Sequence, residues 1–500
     1  MKVAFVYSGA ESLGIEYLSS SLKEAGHETG LAFDAALFAD KRYLNVALLG
    51  KAFNPRRDYL ISVIRSLKPD LVAFSVIKDL YAWSLEIAKE VKNSLGLPVV
   101  FGGIHPTSVP TEVIKNDYVD YVVIGEGEGP LTELASAIES GTALEKIKNL
   151  WFKTENGIVN NLTRPPIEDL DTVPFPDKEL FSDFIPLNDS YSIMASRGCP
   201  LACSFCCSNI LTDLYKGKGS FFRLRSIDNV IGELGTMKTK YGFREVDFCD
   251  DVFTLDLNWL RKFLPRYRKE ISLPFRCLSH PKYFSKEMGL LLKDNGCQRV
   301  RLSAQTMNED IRRNVLNRLE TNEEIIKAFD ICEEIKLPYT ADHLFGLPGE
   351  TSADHINAAE IYCNKRHLGR ISCYYLEYFP GAKITNYARE RGILDENDIA
   401  GINSARGRGY FESNTVLRKV PEQAQTDENF KRFFEIMPAL PFFIKKLILK
   451  SRMYMLFGYL PRFLFFGAMI FVEVLKKDLG ALAYFKYYCK NIFRKKTSAA

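Results

Sequence analysis

Short apolar segments alternate with helical segments along most of this chain, and this alternation constrains the fold more than any other feature. In the first part the predicted strands are Lys2–Tyr7, Leu71–Ser75, Pro98–Gly102 and Tyr121–Ile124. Helical patterns cover Leu13–Ala25, Tyr81–Ser94 and Pro130–Glu139. Strands that alternate with helices of this length predict a doubly wound parallel sheet, so residues 1–145 are expected to form an α/β domain.

Small residues follow the strands of this first domain, at the edge where open parallel sheets bind ligands. The strand ends carry Ser75, the pair Gly102-Gly103 and the run Gly125-Glu126-Gly127. Glycine lets a bulky ligand approach the backbone closely. One such glycine is most simply explained as part of a tight turn, but three similar strand ends favour a binding site.

A second alternation follows a predicted linker. The linker, residues 146–190, contains a hairpin around Asn156-Gly157 and a proline-rich stretch from Arg164 to Pro186. The next predicted strands are Tyr191–Ala195, Glu245–Phe248, Phe275–Leu278, Arg299–Ser303, Tyr339–Phe345 and Ser372–Leu376. Six βα units predict a partial or full parallel barrel over residues 191–395, with its chemistry at the carboxyl ends of the strands. Residues 396–500 are predicted to be a mostly helical extension.

The stretch from Ser196 to Asn209, SRGCPLACSFCCSN, follows the first barrel strand and holds four of the chain's eleven cysteines. Cys199, Cys203 and Cys206 have the spacing C-x3-C-x2-C, which allows a tight loop to direct three thiolates toward one metal centre. A closed structural zinc site normally needs a fourth ligand. A four-iron cluster held by three cysteines leaves one iron open, and this favours a cluster while zinc stays an alternative. Cys207 is expected to be a spectator.

This cysteine motif, with Phe205 before the third cysteine, resembles the signature of the radical S-adenosylmethionine (radical SAM) superfamily. The resemblance implies that Cys199, Cys203 and Cys206 bind a four-iron, four-sulfur cluster whose open iron chelates SAM. It also implies a set of SAM-binding residues near the strand ends: Phe205, Asp250 or Asp251, Ser303, Gln305, Gly346, Phe379 and Pro380. The family often has glutamate near the position of Gln305, so this residue is a mild departure.

Three segments of the first domain, Ser12–Leu18, Val99–Thr107 and Val122–Glu128, resemble the cobalamin-binding domain that precedes many radical SAM barrels. The implied cobalamin-binding residues are Leu13, Gly14, Ser75, Gly102, Gly103, His105, Gly125, Glu126 and Gly127. Some cobalamin enzymes supply a histidine to cobalt from an Asp-x-His-x-x-Gly loop. The corresponding loop here, Ser8–Gly14, has no histidine. We therefore expect cobalamin to bind without that ligand.

The C-terminal extension is strongly basic although the whole chain has a net charge of only +4. From Phe442 onward it carries twelve lysines and arginines against two acids. Its uncharged run Phe463–Val472 is shorter than the about 20 residues a spanning helix needs, so no transmembrane segment is expected. Aromatic and aliphatic residues beside lysines predict amphipathic helices on an anionic membrane surface. A helical cap packed on the barrel is the alternative.

These features together predict a cytoplasmic enzyme, peripheral at the membrane, that uses the cluster, SAM and cobalamin. The start of the chain has no apolar segment long enough for a signal peptide, and the odd, scattered cysteines do not resemble a disulfide framework. Expected partners are a small-molecule or lipid-like substrate and a flavodoxin- or ferredoxin-like reductant, with no nucleic acid. The leading prediction is methylation of an unactivated carbon. Cyclisation or rearrangement with the same cofactors, and a non-enzymatic, membrane-associated corrinoid- or metal-binding protein, are the alternatives.

Overall fold

Two β-sheets with helices packed on their faces make up most of the chain. The computed structural model describes residues 1–40, 44–45, 50, 53–54, 57–405, 421–461, 465, 467 and 486–492. The predicted class is confirmed: an α/β domain with a mainly parallel sheet precedes a parallel barrel-type domain and helices near the C-terminus. The domain bounds predicted from the sequence stay a prediction.

The first sheet has seven strands: β1 Lys2–Ser8, β2 Glu28–Asp34, β3 Leu71–Ser75, β4 Val99–Gly102, β5 Tyr121–Val123, β6 Leu150–Thr154 and β7 Gly157–Asn160. Their order is β2-β1-β3-β4-β5-β6-β7. The first five pair in parallel, whereas the β6–β7 hairpin pairs antiparallel with β5. The hairpin placed in the linker by its sequence thus extends the first sheet.

Strand β2 was not among the predicted strands, although it pairs with β1 over its full length, from Lys2 opposite Glu28 to Ser8 opposite Asp34. Its first half, Glu-Thr-Gly, has weak strand propensity, and only the later residues are buried. Pairing with the largely buried strand β1 overrides that local signal. The sheet is covered by helices α1 Leu13–Glu24, α2 Arg57–Leu67, α3 Lys78–Leu95, α4 Ile104–Ser108, α5 Pro110–Ile114 and α6 Glu128–Ser140.

The second sheet contains six parallel strands in sequence order: β8 Ser190–Ile193, β9 Glu245–Phe248, β10 Phe275–Ser279, β11 Cys297–Gln305, β12 Tyr339–Phe345 and β13 Leu368–Tyr375. All neighbouring pairs are parallel, and β8 and β13 form the two edges of the sheet. The barrel is therefore partial. Its core is rich in aromatic side chains, among them Phe248, Phe263 and Phe275, whose rings contact one another.

Helices precede, connect and follow these strands: α7 Glu179–Ser182, α8 Ser208–Leu214, α9 Ile227–Tyr241, α10 Leu257–Glu270, α11 Lys286–Asp294, α12 Glu309–Asn314, α13 Asn322–Ile335, α14 Ser352–Cys363, α15 Lys383–Glu390 and α16 Glu396–Asn403. Short 3₁₀ helices occur at Leu170–Thr172, Pro281–Tyr283, Met437–Ala439 and Met453–Tyr459. Two-residue strands pair Ala39–Asp40 with Leu44–Asn45, and Ser196–Arg197 with Arg223–Leu224.

The C-terminal extension packs on both domains. Helix α17, Pro421–Ile436, inserts Phe430, Phe433 and Phe434 into the barrel core, and α18, Phe442–Lys450, follows it. Residues 486–492 form a helix whose Tyr487 hydroxyl donates to the Gly9 carbonyl at 2.5 Å. The uncharged run Phe463–Val472 lies outside the described residues apart from 465 and 467. Within the described part of the chain, no helix is both long enough and apolar enough to cross a bilayer.

Candidate active site

The four clustered cysteines lie on the loop between β8 and α8, at the carboxyl end of the first barrel strand. Cys199 and Cys203 are buried, and Cys206 and Cys207 are half-buried. Burial raises the pKa of the Cys199 thiol to about 12 and that of Cys203 to about 11. The bare loop therefore carries neutral thiols at these two positions, and a bound metal would have to displace their protons.

The loop is fixed by backbone contacts with the segment after α12 and with the start of α15. Ser204 donates its N–H to the Leu316 carbonyl at 2.9 Å and its hydroxyl to the Val315 carbonyl at 2.5 Å. The N–H of Ile384 donates back to the Ser204 carbonyl at 2.9 Å. Gly198 has a φ of +84°, and a Cβ there would overlap the Phe221 carbonyl. Glycine at 198 thus sets the start of the cysteine loop.

The cysteine sulfurs are not gathered as in a compact zinc site. Among the described residues, the one group of His, Cys, Asp or Glu side chains with at least three ligand atoms all within 4.8 Å of one another is His343, Glu350 and His355. Tetrahedral zinc with Zn–S bonds of about 2.3 Å places its sulfurs about 3.8 Å apart. The three cysteine sulfurs therefore do not form a preassembled zinc site.

A cleft with about 1260 Å³ of empty space, the open solvent at its mouth included, lies between the two domains. One wall consists of residues named by the cobalamin-domain resemblance: Gly14, Ser75, Gly102, Gly103, Gly125, Glu126 and Gly127. The facing wall belongs to the barrel domain and includes Ser196, Arg197, Gly198, Cys249 and Asp251. The cleft therefore reaches from the strand ends of the first sheet to the start of the cysteine loop.

Two residues predicted to bind cobalamin do not line this cleft. Leu13 lies outside its lining, and His105 is buried in α4 with its ring 4.4 Å from the ring of Tyr81. Burial, with a smaller effect of Lys78, lowers the pKa of His105 to about 4, so the imidazole is neutral. No histidine is present among the described residues that line the cleft.

Ion pairs join the two domains at the rim of the cleft. The Glu126 carboxylate accepts hydrogen bonds from Arg223 at 2.9 and 3.2 Å and from the Ile167 N–H at 2.7 Å. Arg197 reaches Glu128 at 2.6 Å and Glu126 at 3.5 Å. Burial by itself would raise the pKa of Glu126, but the two guanidinium groups more than offset this and lower it. Glu126 thus holds the domains together rather than presenting a free carboxylate.

A second cleft, of about 840 Å³, opens at the later strands of the barrel. Of the residues predicted to bind SAM, it contains Phe205, Gln305 and Phe379. Its other lining residues include Arg301, Asp342, Tyr374 and Glu377. Phe205 comes from the cysteine loop itself, so this cleft also adjoins the loop.

The remaining residues of the predicted SAM set lie around these clefts in different ways. Asp250 is buried and accepts hydrogen bonds from the Ala195 N–H at 3.2 Å and from the Ser196 hydroxyl, and burial raises its pKa to about 6. Asp251 instead faces the interdomain cleft, where its carboxylate accepts from the Ser208 hydroxyl at 3.3 Å. Gly346 and Pro380 are buried and line neither cleft.

Asp342 organises the polar wall of the second cleft. It is buried and accepts from the Ser303 hydroxyl at 2.7 Å and from Arg301 Nε at 2.7 and 2.8 Å. Burial by itself would lower the pKa of Arg301. The Asp342 carboxylate and the Tyr374 hydroxyl outweigh burial, so the pKa of Arg301 is raised. Sequence reasoning missed Asp342 and the role of Arg301. An acidic residue inside the buried strand Tyr339–Phe345 is the signal that identifies Asp342.

The residues present fit the three cofactors. Three separated thiols on a fixed loop suit a cluster with one open iron, and glycines line a cleft large enough for a bulky planar ligand. The second cleft offers aromatic faces for an adenine and charged groups for an amino acid. The match to each of the three cofactors therefore rests on residues of this chain.

Comparison with known proteins agrees with this arrangement. Residues 3–135 match the B12 binding domain family, and residues 193–361 match the radical SAM superfamily. The chain is 25% identical over 403 residues to an uncharacterized methyltransferase of Pyrococcus horikoshii, covering 79% of this chain and 84% of the relative. It is 27% identical over 363 residues to the anaerobic magnesium-protoporphyrin IX monomethyl ester cyclase of Rubrivivax gelatinosus, covering 59% of this chain and 61% of that protein.

Among solved structures, the fold is similar to that of the radical S-adenosylmethionine methyltransferase TsrM from Kitasatospora setae, determined with cobalamin and a cluster bound. The TM-score is 0.61 at 20% identity, over 78% of each chain. Fold and site together define a cobalamin-binding radical SAM enzyme whose cofactors are a four-iron, four-sulfur cluster, SAM and cobalamin. Residues 193–361 thus form a radical SAM domain, and residues 3–135 form a B12 binding domain ahead of it.

Proposed function

We propose that this enzyme is a C-methyltransferase that methylates an unactivated carbon. The observation that carries the proposal is the position of the cysteine loop between the two clefts. Gly198, beside Cys199, lines the interdomain cleft, and Phe205, beside Cys206, lines the second one. A substrate at this loop would lie within reach of groups bound in both. When bound, the cluster and SAM supply a radical that removes hydrogen, and the corrin supplies a methyl group.

The protein's own residues have the task of positioning and shielding. We assign cluster binding to Cys199, Cys203 and Cys206, and SAM contacts to Phe205, Gln305 and Phe379, with Ser303 acting through Asp342. Asp251 is the better of the two adjacent aspartates for a ligand, because Asp250 is already engaged with Ala195 and Ser196. A buried ion pair between Lys78 and Glu377, at 2.8 Å, closes the domains together beside the second cleft. Such closure excludes water from reactive groups.

Isotope transfer from SAM tests the reaction class. Anaerobic enzyme, loaded with its cofactors and a strong reductant, is incubated with methyl-deuterated SAM and a metabolite extract from the source cells. We expect 5′-deoxyadenosine and S-adenosylhomocysteine to form together, with the deuterated methyl group in one extract component. Each product reports a different part of the reaction: the first reports hydrogen removal and the second methyl transfer to the corrin.

Cyclisation or rearrangement is the second candidate function, and similarity to the Rubrivivax gelatinosus cyclase favours testing it. Such an enzyme would form 5′-deoxyadenosine without S-adenosylhomocysteine and without transferring the label. That outcome would overturn the methyltransferase proposal. A chain that binds metal but forms neither product would contradict the enzymatic assignment.

We further propose that the substrate is lipid-like and that the extension brings the active site to an anionic membrane. The support is an exposed apolar surface on α18 and the 3₁₀ helix after it. Phe443 is 67% exposed and Leu447 56%, and Met455, Leu456 and Tyr459 continue the surface. Lys446, Lys450 and Arg452 are interspersed. Apolar side chains with basic neighbours suit insertion among anionic lipid headgroups.

Liposome co-sedimentation is expected to show binding to anionic vesicles at low salt. Each basic residue near the surface contributes about 1 kcal/mol, and this contribution weakens at high salt. The double substitution Phe443→Ser with Leu447→Ser removes about 2–3 kcal/mol of apolar insertion, and partitioning should fall by about 30- to 160-fold. Leu162→Ser is the matched control, since Leu162 is 80% exposed on the first domain. Unchanged recovery in the supernatant with every vesicle and salt would contradict the membrane proposal, and with it the case for a lipid-like substrate.

A further inference from the structure

Four buried side chains meet behind the turn that follows β12, away from the two clefts. They are His343 on β12, Glu350 at the end of the turn, His355 on α14 and Asp427 on α17. Ligand atoms of His343, Glu350 and His355 all lie within 4.8 Å of one another. His355 Nε2 is 3.0 Å from Asp427 Oδ1 and 4.0 Å from Glu350 Oε2. Elements far apart in sequence thus place two imidazoles and the Glu350 carboxyl group at one point, with the Asp427 carboxylate in contact with one of the imidazoles.

This group has more polar atoms than hydrogen-bond partners. His343 Nε2, His355 Nδ1 and Asp427 Oδ2 are all buried without a partner. His343 is 1% exposed, so its Nε2 cannot be satisfied by bulk water. Buried polar atoms are nearly always hydrogen-bonded, and leaving one unpaired costs about 1–3 kcal/mol. The unpaired Nε2 of His343, in an imidazole grouped with the ligand atoms of Glu350 and His355, indicates that something else binds there.

We propose that His343, Glu350, His355 and Asp427 bind one zinc ion. Imidazole nitrogens and carboxylate oxygens are common zinc ligands, and four of them complete a closed, tetrahedral structural site. Two carboxylates also balance the charge of a divalent cation, which a buried site requires. Small side-chain shifts would bring the ligand atoms to the about 3.3 Å separation that metal–ligand bonds of about 2.0–2.1 Å produce.

The surrounding contacts are those of an outer ligand shell. The other ring nitrogen of His343, Nδ1, lies 3.2 Å from the Tyr362 hydroxyl, a contact that orients the ring and directs Nε2 toward the group. The Thr306 hydroxyl donates to Glu350 Oε1 at 3.2 Å and the Leu347 N–H donates to Glu350 Oε2 at 3.4 Å, and Oε2 also lies 4.0 Å from His355 Nε2. The Gly346 N–H donates to the Asp427 carboxylate. Zinc here would tie α17 to the turn that carries Gly346.

The alternative to a zinc site is a metal-free hydrogen bond between His355 and Asp427. It accounts for the 3.0 Å contact but leaves His343 Nε2 without a partner. The zinc site and the metal-free hydrogen bond differ in one measurable quantity, the zinc content of the folded chain.

Metal analysis of the full-length, cluster-loaded enzyme tests the site. After anaerobic incubation with zinc and removal of loose metal on a weak chelating resin, we expect about one zinc per chain. His343→Gln and His355→Gln should each lower this at least tenfold, whereas His367→Gln should not. His367 is a suitable control because it is only partly buried and lies beside Glu333 elsewhere in the barrel.

Zinc could also bind to the three cysteines where the cluster is missing. The variant Cys199→Ala/Cys203→Ala/Cys206→Ala removes these ligands, so any zinc that it retains is bound elsewhere. The proposal expects this chain to keep its zinc. Loss of zinc with the cysteines, or less than about 0.1 zinc per wild-type chain, would overturn the proposal. If the histidine variants fail to fold, the wild-type and cysteine-variant contents still decide between the two outcomes.

Discussion

Replacing Cys203 with alanine is expected to abolish SAM cleavage. The three-cysteine loop has no spare ligand in a suitable place, because adjacent side chains such as those of Cys206 and Cys207 diverge along the chain. Outer-shell changes around metal sites already cost up to about 100-fold, so loss of a direct ligand should lower 5′-deoxyadenosine formation by more than that. Iron and sulfide content and the cluster's visible absorption, measured anaerobically, should fall together with the activity.

Cys207→Ala is the matched control for this experiment. It removes a neighbouring half-buried thiol from the same loop, and iron content and SAM cleavage should stay near wild type. Full activity in the Cys203→Ala enzyme would contradict the cluster assignment. Equal losses in both variants would show that the loop tolerates no change, and the assignment of Cys207 as a spectator would then be wrong.

Gly102→Leu is expected to prevent cobalamin binding without unfolding the chain. Gly102 ends β4 and lines the interdomain cleft, and a Cβ placed there would meet no atom closer than 3.6 Å. The added side chain therefore enters the cleft instead of clashing with the backbone. Overpacking a fitted site costs about 1–3 kcal/mol, which corresponds to about a 5- to 160-fold loss of cobalamin affinity. Absorbance of cobalamin retained after gel filtration measures this directly.

Gly102→Ala is the conservative partner of this variant and should retain most of the cobalamin. The cysteine loop and the second cleft do not include Gly102, so Gly102→Leu should still form 5′-deoxyadenosine while S-adenosylhomocysteine formation falls. Wild-type cobalamin retention by Gly102→Leu would mean that the corrin binds elsewhere.

Much of this architecture could be predicted from sequence because the strands of parallel sheets are buried on both faces and read as short apolar runs. Leu71–Ser75, Glu245–Phe248 and Tyr339–Phe345 have the bounds that the sequence indicated. Strand β2 could not be predicted from an apolar run, because its polar first half is stabilised by pairing with β1. The hairpin β6–β7 was recognised as a hairpin, but its addition to the edge of the first sheet depends on contacts that no local pattern encodes.

The site was predictable where a residue's position along a strand determines its position at the sheet edge. The glycines at 102, 103, 125 and 127 therefore meet at one cleft, as do Phe205, Gln305 and Phe379 at the other. The direction in which a side chain points was not predictable in the same way. His105 follows a glycine turn in the sequence, yet the helix that begins there directs its ring to Tyr81. Likewise, only the fold shows that Glu126 is engaged by arginines from the barrel domain.

The contact between the two ends of the chain has a consequence for biosynthesis. The Tyr488 hydroxyl accepts from the Phe38 N–H at 2.9 Å, across 450 residues of sequence, while Tyr487 binds the Gly9 and Ala35 carbonyls. The loops after β1 and β2 therefore gain these packing partners only after Tyr487 and Tyr488 have been synthesised and have left the ribosome. Until that point in translation the first domain lacks these contacts. Emergence of residues 486–492, and not folding of the first domain by itself, is the step that brings these loops to their mature packing.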